Sequence, residues 1–127
     1  METTDFCSYE LSKRLKDCGF DEPCDHLYNC HGNLNRYADT DRINRNTNGH
    51  HTPSCSAPTL AHAQKWLREK WGIYAYCEPN CLKKWFARAI DLAKNEDLLF
   101  DGEMFDNFEK AFEYAISAAL ELIKKGE

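Results

Sequence analysis

Cysteine and histidine side chains are the residues of this sequence most suited to chemistry, and many of them lie between residues 18 and 55. The set comprises Cys18, Cys24, His26, Cys30, His31, His50, His51 and Cys55. Thiolates and imidazoles bind zinc, and a metal could stabilise a segment with few apolar residues. Structural zinc sites, however, usually pair ligands about two to four residues apart, whereas Cys24-x-His26 and the adjacent Cys30-His31 give awkward chelate geometry. The sequence therefore predicts no metal site and no cofactor.

The other reactive groups do not form a catalytic pattern either. The chain has seven cysteines, an odd number at irregular spacing, which is typical of reduced thiols. Cys77-x3-Cys81 spans the end of a predicted strand, so its spacing indicates a metal site even less. A nucleophilic cysteine or serine would need a base within hydrogen-bond reach, and no motif fixes such a pair. We expect a protein that is not an enzyme.

The composition bounds the fold and the location. With 127 residues, of which 43% are hydrophobic, the chain is expected to form a single domain over residues 1–127. The first residues, Met1 to Glu10, hold no basic region followed by an apolar run, and no stretch is apolar enough to span a membrane. A cytoplasmic location without membrane contact is the resulting expectation.

The N-terminal segment, residues 1–20, predicts a helix. Apolar side chains recur at helical spacing from Asp5 to Cys18. Thr4 or Asp5 is the expected N-cap, and Gly19 is the expected stop.

Residues 21–56 predict an irregular insertion, because they are rich in asparagine, aspartate, histidine and glycine. Within it, His26–Tyr28 and Leu34–Tyr37 could pair as a short hairpin. The remainder, residues 39–56, has little to bury and is longer than most ordered loops, so we expect it to be mobile.

Residues 57–127 carry the clearest pattern and are expected to form the core. A helix capped by Thr59 should end at Gly72 and lead directly into a strand. Two further strands are expected, one from Lys84 to Leu92 and one that begins at Leu98–Phe100 and resumes at Met104–Phe105. A hairpin connection at Lys94–Asp97 should join them. The final helix should begin near Phe108, with Asp106 and Glu109 as a capping box.

The predicted class is therefore α+β. The expected order is an N-terminal helix, the irregular insertion, a helix, a three-stranded antiparallel sheet and a helix. The later helices should lie on one face of the sheet, since their alanine-rich stripes permit close approach.

Charge is unevenly distributed along this core. Residues 65–88 hold six basic against two acidic side chains, and residues 89–127 hold four against ten. The helix, three strands, helix order is also that of double-stranded RNA-binding domains. Nucleic-acid binding is therefore the alternative function, with contacts from Lys65, Arg68, Lys83, Lys84 and Arg88. The acidic start of the final helix, from Asp106, counts against it because it would repel phosphates.

A protein interface is the leading interpretation. A sheet with helices on one side leaves aromatic side chains of its other face exposed, and such patches usually mark interaction sites. The expected contact residues are Tyr74, Tyr76 and Trp85. The partner would be another protein or a second copy of the chain.

Several segments also resemble a known family. They are Phe6–Leu11 running to Cys18–Glu22, Ala57–Leu60 with Trp66–Glu69, and Phe108–Ala111 with Ala115-Ile116 and Ala119-Leu120. In these segments the chain resembles a family of short uncharacterised proteins of Bacteroides-type gut bacteria and their phages. The resemblance implies the same architecture and an origin in a phage or mobile element. It implies no activity and transfers no functional residue.

Overall fold

The computed structural model describes most of the chain and places it in the α+β class. The described residues are 6–24, 26–36, 55–79, 83–99 and 103–125. The chain divides into two compact units, Met1–Thr59 and Leu60–Glu127. Within the described ranges there are three helices and two antiparallel sheets. The single domain over residues 1–127 stays a prediction, and the two units are described separately below.

The first helix of unit 1, α1, spans Tyr9–Asp17 and begins later than predicted. Its N-cap is Ser8, whose Oγ accepts a hydrogen bond from the Leu11 amide at 3.2 Å. The bond satisfies one of the amides that the first helical turn leaves without a partner. The predicted caps, Thr4 and Asp5, lie outside the described residues.

The end of α1 confirms the predicted stop at Gly19. This glycine has φ +95°, the left-handed conformation that a residue with a Cβ rarely adopts. The Phe20 amide donates to the Leu15 carbonyl at 2.9 Å, and the Gly19 amide donates to Lys16 at 3.1 Å. These two bonds form a Schellman ending, which turns the buried Phe20 ring back against the helix.

The predicted hairpin is also confirmed. Strand β1, His26–Tyr28, pairs antiparallel with β2, Leu34–Arg36. The side chain of Asn29 stabilises the turn, because its Oδ1 accepts from two turn amides at 2.9 and 3.1 Å. Gly32 has φ +80°, and a Cβ there would lie 2.9 Å from the Tyr9 ring, so both conformation and space favour glycine.

A third strand, β3, completes this sheet and corrects one prediction. Cys55–Ser56 pairs with β1, which gives the strand order β2-β1-β3. Both residues are buried, so the expectation of a mobile segment with little to bury is wrong for them. Residues 39–54 of that segment lie outside the described residues.

Unit 2 begins with α2, Leu60–Trp66, which continues as a π-helical segment over Leu67–Trp71. The predicted end is confirmed, since Gly72 has φ +67° and its amide donates to the Leu67 carbonyl. That bond spans five residues, the spacing of a π-helix. The helical sequence pattern did not predict this wider turn.

The sheet of unit 2 has four strands, so the predicted three-stranded sheet is wrong. Strand β4, Ile73–Pro79, pairs antiparallel with β5, Trp85–Asp91. The expected third strand is divided into β6, Glu96–Leu99, and β7, Met104–Phe105. Both pair with β5: β6 lies beside the C-terminal end of β5, and β7 lies beside its N-terminal end. Two short strands thus share one side of a longer strand.

The turn between β5 and β6 lies earlier than the predicted Lys94–Asp97 connection. It covers residues 92–95, and β6 starts immediately after it. The carboxylate of Asp91 accepts from the amides of Ala93 and Lys94 at 3.0 and 3.3 Å. This local bonding favours an early turn.

The last helix, α3, spans Phe108–Lys125 and confirms the predicted apolar stripe. Its buried residues are Ala111, Phe112, Ala115, Ile116, Ala119, Leu120 and Ile123. The predicted cap is wrong, because Asn107 Oδ1 accepts from the Lys110 amide at 2.8 Å and Asp106 instead pairs with Lys84. None of the described helices has both the length and the apolar character needed to cross a membrane.

Candidate protein-binding face

The strand register divides the unit 2 sheet into two different faces. On one face, Ala75 lies opposite Ala89 and Cys77 lies opposite Ala87. Helix α3 covers this face, since the Cys77 thiol donates to the Phe108 carbonyl at 3.8 Å. The small alanine side chains let the helix approach the strands closely. This face therefore belongs to the core of unit 2.

The opposite face collects the larger side chains, and we call it the tyrosine face. Its members alternate with the alanines along the strands and lie directly opposite one another across them. They are Tyr74, Tyr76 and Glu78 on β4, Phe86, Arg88 and Ile90 on β5, Asp97 on β6 and Met104 on β7.

Two tyrosines form the aromatic centre of this face. The rings of Tyr74 and Tyr76 are stacked, with centroids 4.9 Å apart and an interplanar angle of 16°. Both side chains are half-buried. Burial raises the pKa of the Tyr76 hydroxyl above its ordinary value, so the hydroxyl stays protonated well beyond neutral pH. The stack presents a rigid aromatic surface that loses little conformational entropy on binding.

Arg88 lies beside this stack and joins three strands. It is directly opposite Tyr76, and its guanidinium donates to Glu78 at 2.7 Å and to Asp97 at 3.3 Å. Burial alone would lower the pKa of Arg88, but its hydrogen bond to Glu78 and the nearby negative charges leave the pKa above the ordinary value. The arginine is therefore fully charged, and that charge is already paired with two carboxylates.

The outer edge of β4 is partly blocked, which bears on how a partner could bind. The Gly72 carbonyl accepts from the Leu92 amide at 2.9 Å, just before β4 begins. Because hydrogen-bonded pairs alternate along antiparallel strands, the backbone groups of the even-numbered residues of β4 bond to β5 and those of the odd-numbered residues point to the outer edge. The Ala75 carbonyl then points to the outer edge, where Gln64 Nε2 donates to it at 2.7 Å. Pro79 has no amide proton to offer there. An added strand would have to displace the Gln64 bond.

The structure separates the three predicted contact residues. Tyr74 and Tyr76 lie together on the tyrosine face, but the register places Trp85 on the other face. There its ring meets Phe108 edge-on, with centroids 5.2 Å apart. Trp85 therefore packs against α3 and does not join the tyrosines.

The basic residues proposed for nucleic-acid contacts lie on different elements. Lys65 is on α2, Arg68 is on the π-helical segment and Lys83 precedes β5; all three are exposed. Lys84 pairs with Asp106, and the hydrogen bond from Lys84 lowers the pKa of that carboxyl. Arg88 is on the tyrosine face, paired as described above. Carboxylates thus already bind two of the five cations.

Of the two acidic members of the site, Glu78 and Asp97, only Glu78 could be placed on this face from the sequence. Glu78 alternates with Tyr76 along a predicted strand, so its place on the same face followed from the pattern. The sequence predicts Asp97 in a turn, and only its pairing with Ile90 places it beside Arg88. The acidic partners of the arginine thus depend on strand register.

The thiols and imidazoles do not gather into a metal site in the described part of the chain. No group of three or more histidine, cysteine, aspartate or glutamate side chains there is arranged to hold a metal ion. Cys7, Cys24 and Cys55 are buried, and burial raises the pKa of the Cys55 thiol. His50 and His51 lie outside the described residues. The expectation of a metal-free protein with reduced thiols stays a prediction.

Cys77 provides a test of thiol chemistry. Burial, together with the smaller effect of the negative charge of Glu109, raises the pKa of its thiol to about 11. Because only the thiolate reacts, alkylation by iodoacetamide at pH 8 should be about 100-fold slower than for a thiol with the ordinary pKa. The folded state favours the neutral thiol, so this contribution to stability is present at neutral pH and is lost as the pH rises toward 11.

Mass spectrometry of timed alkylation, with the urea-unfolded chain as the control, measures this rate for the Cys77 peptide. Equal rates in the folded and unfolded chain would show that the thiol is not protected.

Comparison with known proteins adds no assignment: no protein-family model, curated protein or solved structure matches this chain. The resemblance to the gut-bacterial and phage family, and the origin it implies, stay predictions.

Proposed function

We propose that the chain is a non-enzymatic protein-interaction module and that the tyrosine face is its contact surface. The stacked pair of Tyr74 and Tyr76 beside Arg88 is the observation that supports this best. Tyrosine and arginine are enriched among the residues that contribute most to protein interfaces, where rigid side chains limit the entropy lost on binding.

The apolar part of the face extends beyond the tyrosines. Phe86 lies opposite Met104, a residue that is 46% exposed, and Ile90 lies opposite Tyr74. The face thus combines an aromatic centre, apolar side chains at both ends and a charged group in the middle. This arrangement resembles an interface core with polar groups that fix the orientation of a partner.

The expected mode of binding is face-on. Because Gln64 occupies the Ala75 carbonyl, addition of a strand to β4 would sacrifice a hydrogen bond of 2.7 Å. A partner that lies across the tyrosines avoids that loss.

Nucleic-acid binding by residues 65–88 is the competing function. It is less well supported, because Lys84 and Arg88 are engaged by carboxylates that would repel a phosphate backbone. Lys65, Arg68 and Lys83 are the exposed cations left to this hypothesis.

One pair of measurements separates the two functions. Fluorescence anisotropy with labelled duplex RNA and DNA should detect no salt-sensitive binding to the chain. The variant with Lys83→Glu and Lys84→Glu should give the same result as the unaltered chain. Sedimentation of the pure chain, and of the chain with proteins of its source cells, should reveal a complex that Tyr74→Glu removes. Salt-sensitive nucleic-acid binding that the lysine variant loses, together with a complex that Tyr74→Glu does not affect, would contradict the proposal.

A further inference from the structure

The accessible charges of the tyrosine face are negative. The side chains of Glu78 and Asp97 are 41% and 54% exposed, whereas that of Arg88 is only 18% exposed. Each carboxylate gives one oxygen to the guanidinium, Glu78 through Oε1 and Asp97 through Oδ1. The second oxygen of each takes no part in those bonds, and a carboxylate can accept several hydrogen bonds.

The aromatic rings favour the same sign of ligand charge. The face of a tyrosine ring is electron-rich and attracts an arginine or lysine side chain placed over it. Tyr76 lies directly opposite Arg88, and the charges of Arg88, Glu78 and Asp97 all act on its hydroxyl. The rings and the carboxylates are therefore close enough to meet one long basic side chain, whose stem would cover the rings while its head reached an acid.

We infer that the partner presents a basic segment, and that an arginine or lysine of this segment lies over the Tyr74–Tyr76 stack and pairs with Glu78 and Asp97. The inference rests on the proposed function and names the chemistry of the partner. The exposed carboxylates of Glu78 and Asp97 would repel an acidic peptide or a phosphate backbone, and the less exposed Arg88 between them is already paired. Charge complementarity therefore selects a cationic protein segment.

An alternating arginine–glycine peptide is a suitable probe, and the matching glutamate–glycine peptide is its control. Titrated into the full ¹⁵N-labelled chain, the arginine peptide should shift the amide resonances of the tyrosine face, with the largest changes near Tyr76 and Asp97. The glutamate peptide should cause no such shifts. Added salt should weaken the binding, because the charged groups are partly exposed.

The chain offers a closely matched pair of variants. Asp97 lies on the tyrosine face, whereas its neighbour Glu96 lies opposite Asp91 on the other face. Asp97→Asn and Glu96→Gln each remove one negative charge from β6. Asp97→Asn combined with Glu78→Gln should weaken binding of the arginine peptide about tenfold. The control, Glu96→Gln combined with Glu69→Gln at an exposed residue of the π-helical segment, removes the same charge and should change binding less than about threefold.

A second variant tests whether a change in the fold, and not the loss of specific contacts, explains weaker binding. Tyr74→Leu with Tyr76→Leu keeps an apolar face and both carboxylates but removes the aromatic rings, and it should also weaken the arginine peptide several-fold. The spectra themselves report whether each variant is folded.

Equal losses in the two charge-matched variants, shifts away from the tyrosine face, or binding of the glutamate peptide would overturn the inference. No binding of the arginine peptide to a folded chain that still forms a complex sensitive to Tyr74→Glu would also overturn it, and would leave the proposed function standing. A complex that Tyr74→Glu does not affect would instead count against the proposed function itself.

Discussion

Replacement of Leu120 by alanine is expected to lower the free energy of unfolding by about 2–5 kcal/mol, a large part of the stability of a domain of this size. Leu120 is fully buried on the apolar stripe of α3. The substitution removes apolar atoms from a packed core and leaves a cavity that its neighbours fill only in part. Urea denaturation followed by circular dichroism measures the loss.

The chain provides a control of the same residue type. Leu92 lies in the turn after β5 and is 47% exposed, so Leu92→Ala should change the free energy of unfolding by less than about 0.5 kcal/mol. A similar loss in both variants would mean that α3 does not pack into the core as described.

Replacement of Tyr76 by alanine should weaken partner binding while it changes the stability little. The expected loss is about 2 kcal/mol, roughly 30-fold, because the substitution removes one ring of the stacked pair over which the partner binds. The side chain is only half-buried, so stability should change far less than in Leu120→Ala. Calorimetric titration with the captured partner, or with the arginine–glycine peptide, measures the loss.

Two substitutions control for this result. Tyr76→Phe keeps the ring and should retain most of the binding. Trp71→Ala removes an aromatic side chain from a residue of the π-helical segment that is 36% exposed, and should leave binding unchanged. Equal losses from Tyr76→Ala and Trp71→Ala would indicate a general effect of removing an aromatic side chain.

The helices could be predicted because their signals are local. The apolar stripe of α3 and the glycine stops at Gly19 and Gly72 need no knowledge of the rest of the chain. The N-caps could not be assigned from the sequence alone, since several residues of the capping type lie next to one another. Ser8 and Asn107 each lie close to other residues of the capping type, and geometry decides which of them caps.

The sheets could be predicted only in part, because short strands carry little periodicity. Cys55–Ser56 is too short to show alternation, and its pairing with β1 spans many residues of chain. The division of the third strand into β6 and β7 depends on how each segment meets β5. Pairing over such sequence distances is a tertiary effect that a local pattern does not contain.

The candidate site shows the same limit. Alternation along β4 correctly placed Tyr74 and Tyr76 on one face. The side chains of β5 that share a face with the two tyrosines depend on the strand register. The observed register places Arg88 on the tyrosine face and Trp85 on the opposite face. The hydrogen bonds from Arg88 to Glu78 and Asp97 join three strands. The sequence therefore shows which residues are present but does not predict that these three side chains contact one another.

Site-directed photocrosslinking is the most direct test of the tyrosine face as a protein-binding surface. A benzoylphenylalanine placed at Tyr76 should crosslink a partner through a basic segment, and excess unaltered chain should compete. The same group at Tyr114, whose ring meets Phe105 on the α3 side of the sheet at 5.0 Å, is the control and should give little product. Equal yields at the two positions, or crosslinking at Tyr114 alone, would contradict the account.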